Sequence, residues 1–269
     1  MKLSFVFLIS LLTLSCSFDK KTGIWKNNSI ISKNDSKFFK DFKQIGVRES
    51  NFNEIIELKK KFIFEIPKKT NNEKWEDIFY NQFNNPINFS FNERKNLIFK
   101  SKKISKYKIK KFFLYDKGNL IFTDERGNLI IFSIKKNKII AELNFYKKKY
   151  KKIKKNLNII VNNSIVYVSD NLGFIYSFDY NNNKVLWAKD NKIPFRSNLK
   201  VISDKLIASD QNNRINIFDK KNGNILKFIP TEETKIKNNF QNNFSINKDF
   251  IFMLNTYGSL YSINKKNNN

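Results

Sequence analysis

The chain has 269 residues, 41% of them hydrophobic and 15% aromatic, with Phe alone supplying 28; this is the composition of a globular protein with a sizeable core, and it excludes a disordered chain. Lys and Arg number 51 against 24 Asp and Glu, a formal charge of +27 that favours anionic partners. The absence of His and the presence of a single Cys exclude an intrachain disulfide, the usual general base and the usual nitrogen metal ligand, and with them most hydrolase and zinc-enzyme chemistry. The charge is spread along Lys- and Asn-rich stretches, so compositional bias accounts for more of it than one dedicated basic face.

In chain order, residues 1–15 have a signal-peptide layout. Lys2 supplies the positive end, Leu3 to Leu14 form the apolar run, and the small Ser15 precedes Cys16. The run is about a dozen residues, short of the roughly 20 that span a bilayer. The segment LLTLSC, ending at Cys16, resembles a bacterial lipobox, although Thr13 and Leu14 depart from its usual residues. The resemblance implies export, cleavage before Cys16 and acylation of that thiol. Ser17, rather than Asp, after the Cys implies sorting to the outer membrane. Anchoring by more than one acyl chain is durable where a single chain is marginal. Residues 16–74 read as a polar tether, with a short helix expected over Asn51–Phe62, where Asn51 and Glu54 form a capping pair.

Internal repetition dominates residues 75–269. FTDERGNLIIFS (Phe122 to Ser133), VSDNLGFIYSFD (Val168 to Asp179), ASDQNNRINIFD (Ala208 to Asp219) and MLNTYGSLYSIN (Met253 to Asn264) align without gaps. Each is a β-rich run, a polar turn and a second β-rich run. The turn position is Gly127, Gly173, Asn213 and Gly258, residue types that tolerate positive φ and so suit a tight hairpin. A second turn and a third strand follow, as at Val185 to Ala188 and Ile225 to Ile229, and a further strand precedes each repeat, as at Asn158 to Val161. Turn-to-turn spacings of 46, 40 and 45 residues, with strand alternation throughout, predict an all-β chain built from propeller blades.

The stretch IVYVSDNLGFIYSFDYNNNKVLWA, Ile165 to Ala188, resembles the PQQ-like (pyrroloquinoline-quinone-type) propeller repeat through Gly173, Asp179, Lys184 and Trp187. The third repeat keeps Asp219 and Gly223 but has Lys227 where the Trp would stand. The first is degenerate, with Ser133 and Leu143 nearby. In that family the Trp packs between blades, which makes Trp187 a structural residue. A lipobox followed by such repeats resembles the BamB-type lipoproteins of the outer-membrane barrel assembly machinery, as does WEDIFYNQFNNPINF, Trp75 to Phe89. The resemblance implies a lipid-anchored scaffold on the periplasmic side of the outer membrane, with barrel-assembly proteins as partners. About four units are visible where a closed propeller of this type has eight. The expectation is a partial propeller, either a truncated chain or a half that must pair with something.

An enzyme of this fold group would be a quinone-dependent dehydrogenase, which the resemblance furnishes with an Asp base, a calcium site and a Cys pair. This chain has no Cys pair. Its carboxylates recur at turns, Asp124, Asp170 and Asp210 at one repeat position and Asp179 and Asp219 at another, as turn hydrogen bonding requires. No cofactor, catalytic residue, metal site or small-molecule substrate is therefore expected. The basic run YKKKYKKIKK (Tyr146 to Lys155), with Lys147, Lys148, Lys149, Lys151, Lys152, Lys154 and Lys155, reads as a solvated loop between blades or as a contact for an anionic surface. A nucleic-acid partner conflicts with export.

Overall fold

The computed structural model describes residues 66, 68–70, 74–85, 88, 90, 97, 99–232 and 240–265, together with the backbone of 16–18 and 25–27. The chain divides into two compact units, Met1–Phe64 and Glu65–Asn269. The described part of the first is an antiparallel ladder of β1 (Cys16–Phe18) and β2 (Trp25–Asn27). The expected signal segment before Cys16 and the expected helix over Asn51–Phe62 lie outside the described residues.

The second unit contains four antiparallel meanders in succession. Sheet I is β3 (Leu114–Asp116), β4 (Asn119–Thr123), β5 (Asn128–Ser133) and β6 (Lys138–Asn144). Sheet II is β7 (Leu157–Asn162), β8 (Ile165–Asp170), β9 (Phe174–Asp179) and β10 (Lys184–Asp190). Sheet III is β11 (Lys200–Ile202), β12 (Lys205–Ser209), β13 (Ile215–Asp219) and β14 (Ile225–Ile229). Sheet IV has three strands, β15 (Asn243–Ile246), β16 (Phe250–Leu254) and β17 (Leu260–Asn264). The four aligned repeats are the hairpins β4–β5, β8–β9, β12–β13 and β16–β17. Apart from one 3-10 turn, Lys148–Tyr150, the described residues are all-β, and the sheets are consecutive blades of a partial β-propeller.

Alternation along each strand makes the blades stack. In β8, Val166 and Val168 pack toward sheet I with Leu114, Ile121, Leu129 and Ile131, while Tyr167 between them packs toward sheet III with Leu206, Ala208 and Phe218. Both faces of an inner sheet are therefore covered, and its middle strands read as apolar runs rather than half-polar ones. A third cluster joins sheets III and IV through Ile207, Ile215, Phe244, Ile251 and Met253. The far face of sheet I is covered by residues preceding it, with Phe99 against Phe132 and Phe113 against Phe122. The far face of sheet IV leaves Phe250, Leu254 and Leu260 exposed.

A one-residue bulge falls between the third and fourth strands of sheets I, II and III, at Ile131/Phe132, Val185/Trp187 and Ile217/Phe218. In sheet II it decides the fate of Trp187. Val185 packs toward sheet I, and in a regular strand Trp187 would follow it; the bulge turns the indole toward sheet III. There it is buried beside Tyr167 and Phe195, and Nε1 donates to the Lys220 carbonyl at 3.0 Å. The pairing register places Lys227 at the same position of sheet III and Ala141, rather than Leu143, at that of sheet I.

The first strands of the sheets lie nearest one another, and residues 75–85 run across them. Trp75 pairs with Tyr115 of β3 through bonds of 2.8 and 2.9 Å. The Val161 amide of β7 donates to Glu76, and the Ile246 amide of β15 donates to Gln82, each at 2.9 Å. Asn84 Nδ2 donates to the Phe244 carbonyl at 2.7 Å. From β11, the buried Lys200 Nζ donates to Asp77 Oδ2 (2.7 Å), the Asn81 carbonyl (2.9 Å) and Asn84 Oδ1 (2.5 Å), using all three ammonium hydrogens. Burial raises the Asp77 pKa and lowers that of Lys200, and their mutual attraction opposes both shifts. This segment is a strap bonded to the first strand of every sheet, through the backbone or Asn84 at β3, β7 and β15 and through the Lys200 side chain at β11.

Candidate functional site

In a meander the hairpins between second and third strands and the links between sheets emerge at one end, so these loops share one face of the second unit. Each hairpin is built by one side chain. Asp124 Oδ1 accepts from the amides of Arg126 and Asn128, at 2.9 and 3.1 Å. Asp170 Oδ1 accepts from Leu172 and Phe174, and Asp210 Oδ1 from Asn212 and Arg214. In sheet IV, Asn255 Oδ1 accepts from Tyr257 and Ser259. The turn residues Gly127, Gly173, Asn213 and Gly258 all take positive φ, from 62° to 96°. Asn213 is buried and also uses its side chain, donating to the Glu232 carbonyl.

These carboxylates are saturated. Asp124 Oδ2 accepts from Ser105 and Asn128 side chains, Asp210 Oδ2 from Arg214 Nε, and Asp170 Oδ2 from the Tyr146 hydroxyl at 2.5 Å. On the opposite face, Asp179 accepts from the Asn181 and Asn182 amides and Asp219 from Lys221 and Asn222, closing the second turns. The hydrogen bond from Asn182 holds the Asp179 pKa below its ordinary value, against the effect of burial. Among the described residues no group of three or more His, Cys, Asp or Glu is placed to hold a metal ion.

The loop face is cationic. A cavity of about 580 Å³ there is lined by Lys110, Lys154, Arg196 and the side chains of Asn156, Asn171 and Gln211, among others. A neighbouring cavity of about 350 Å³ lies at the sheet I hairpin, beneath the basic link to sheet II. Its cations are Arg126, Lys147, Lys148, Lys151 and Lys155, its aromatic walls Tyr107 and Tyr146, and no carboxylate lines it.

The basic run is divided by this arrangement. Lys147, Lys148, Lys151, Lys152 and Lys154 are exposed, and the side chain of Lys149 lies outside the description. Lys155 departs from the expectation of a solvated run. It is buried, its Nζ donates to the Tyr150 carbonyl and sits 5.2 Å from the Tyr146 ring centroid. Burial and the neighbouring Arg126 lower its pKa, while Asp124 opposes them. The cause lies in the chain geometry: the Lys155 amide bonds to the Glu125 carbonyl, drawing the end of the run beneath the hairpin. Arg126 and Tyr107 were missed in the sequence. Arg126 lies in a polar turn and Tyr107 in an unpatterned stretch, and only the fold brings them to the lysines.

No protein-family model and no curated protein matches the chain. Solved structures similar to it include the computationally designed Ika4 protein, at 8% identity and TM-score 0.45, covering 56% of this chain and 87% of that one. BamB from Moraxella catarrhalis is similar at 12% identity and TM-score 0.48, covering 57% of this chain. Quinohemoprotein alcohol dehydrogenase from Comamonas testosteroni is similar at 12% identity and TM-score 0.49, covering 58% of this chain. The chain spans 49% of the length of that BamB and 27% of the dehydrogenase. At such identities, with TM-scores below 0.5, these likenesses assign no activity, and the fold stands on the sheet order described above.

Proposed function

We propose that the protein is a non-enzymatic scaffold of the cell envelope, anchored through Cys16 on the periplasmic side of the outer membrane, that aids assembly of outer-membrane β-barrel proteins. The lipobox-like LLTLSC and the PQQ-like repeat at Ile165 to Ala188 support the setting. The structural observation that supports the mode of action is the outer edge of sheet III. Edge strands are protected in natural proteins by charge, and β6 and β10 carry Lys138, Glu142, Lys184, Lys189 and Asp190. In β14 the only charged side chain is Lys227, and Ile225, Leu226 and Phe228 are exposed. Such an edge accepts an extended apolar segment by strand addition, the form in which an unfolded barrel strand or an assembly partner presents itself.

Two experiments test the reading. Crosslinking in the envelope followed by purification is expected to recover barrel-assembly proteins, and a Leu226→Lys/Phe228→Lys variant is expected to recover several-fold less at unchanged thermal stability. Recovery of none by the wild type removes the scaffold role, and equal recovery by the variant removes the β14 edge as the docking point. Metabolic labelling with palmitate is expected to mark the wild type and to be lost in Cys16→Ala; persistent labelling of the variant rules out the anchor at that residue.

A further inference from the structure

The cavity at the sheet I hairpin is more than a cluster of solvated lysines. Arg126 is held in two ways: one guanidinium nitrogen donates to the Lys151 carbonyl at 3.1 Å, and the group lies 5.3 Å from the Tyr107 ring centroid. One N–H of the fork is thus bound to protein, and the rest of its donors remain for a ligand. At the base, Lys155 is fixed by the Tyr150 carbonyl and the Tyr146 ring. Gly127 makes this approach possible, since a Cβ there would overlap the Tyr146 ring. Two positioned cations and the exposed Lys147, Lys148 and Lys151 therefore surround one space. The nearby carboxylates offset part of this charge but line no part of the cavity: Asp124 is buried and bound by its own turn and by Ser105, and Asp170 is bound by Tyr146 and its own turn.

Concentrated positive charge without an ion-pair partner is a cost in the empty protein, and a multivalent anion relieves it. A planar guanidinium with free donors matches the oxygens of a phosphate, and flexible ammonium groups complete the neutralisation as point charges. The volume, about 350 Å³, is at the lower end of the range for small-ligand sites and exceeds the needs of a bare phosphate. The additional space is bounded in part by Tyr107 and Tyr146, aromatic walls suited to a ring. We propose that this cavity binds a phosphate monoester carried on a sugar-sized ring, with Arg126 as the orienting fork. The site lies on the loop face and involves no residue of the β14 edge, so it stands or falls separately from the scaffold reading.

Calorimetric titration of the full chain with glucose 1-phosphate, with glucose as the neutral control, tests the proposal. Saturable one-site binding of the phosphosugar alone is expected, weakening as salt is raised. Arg126→Ala is expected to weaken it about tenfold or more, the scale of a lost charge-assisted hydrogen bond. Lys148→Glu/Lys151→Glu changes only exposed side chains and is expected to do the same if Arg126→Ala fails to fold. Lys135→Glu/Lys221→Glu alters charge equally on the opposite face and is expected to leave binding unchanged. Phosphatidylcholine vesicles containing phosphatidic acid separate the sources. Displacement of glucose 1-phosphate by them shows that the phosphate alone is recognised and overturns the ring-bearing ligand, and no displacement supports a soluble phosphosugar. Absence of saturable binding, or equal loss in the loop-face and opposite-face variants, overturns it.

Discussion

Replacing Lys200 by Ala is expected to destabilise the second unit by about 3–5 kcal/mol, because it leaves the Asp77 carboxylate buried without its counter-charge. The loss extends past one ion pair. The ammonium also bonds the Asn81 carbonyl and Asn84 Oδ1, so three strap groups lose their donor together, the Asp77 carboxylate in a buried site and the two asparagine groups in partly buried ones. Denaturant unfolding followed by Trp fluorescence reads the effect, and variants that keep only Trp75 on the strap or only Trp187 between sheets II and III separate the two signals from each other and from Trp25. The double substitution Asp77→Leu/Lys200→Met is expected to recover much of the loss, since a buried pair exchanged for apolar groups of similar volume is often neutral or better. A loss below about 1 kcal/mol for Lys200→Ala contradicts the assignment of the pair as the strap's fastening.

Trp187→Ala is expected to cost about 3–5 kcal/mol, the range for emptying a large aromatic site in a core. The indole fills the junction of sheets II and III, and its Nε1 bonds across to the Lys220 carbonyl. Trp187→Phe keeps a ring and loses that bond, and a distinctly smaller loss is expected. Gly223 provides an independent check. Its φ is 72°, and an added Cβ would overlap the indole, so Gly223→Ala is expected to destabilise the same junction without touching Trp187 itself. Unfolding curves of the three variants test this. If Gly223→Ala is neutral, the close approach between turn and indole is not what holds the junction.

The parts of this fold legible in the sequence are those that local chemistry specifies. Gly127, Gly173, Asn213 and Gly258 announce left-handed turn residues, and Asp124, Asp170 and Asp210, three residues before the first three, announce the turns they close. The Asp179–Trp187 spacing places an aromatic on the outer strand, although the bulge that aims it is written in no residue type. The strap is different. Residues 75–85 carry no strand periodicity, and their partners are scattered over β3, β7, β11 and β15, so nothing within a short window marks their pairing. Lys200 reads as an ordinary lysine beside a strand until Asp77 and Asn84 are seen around it. The basic run was legible as charge and as a candidate contact for an anionic surface, but not as the wall of a cavity. Lys155 is withdrawn from solvent by a backbone bond to Glu125, and Arg126 and Tyr107 reach the same space from other segments.

The strap also sets the order in which the molecule can be completed. Sheets I to III are each local in sequence and can form as their strands are synthesised, with neighbours docking in turn. The bonds from Asn84 to Phe244 and from Ser245 to Phe83 join positions 160 and 162 residues apart. The segment that precedes every sheet can pair with β3 and β7 as they form but waits for β15 before its last bonds can close, and the edges it has not yet reached stay open until then. A chain with this wiring combines quick local steps with one slow, long-range closure. Until that closure the open edges are the part of the molecule most in need of shielding from other chains.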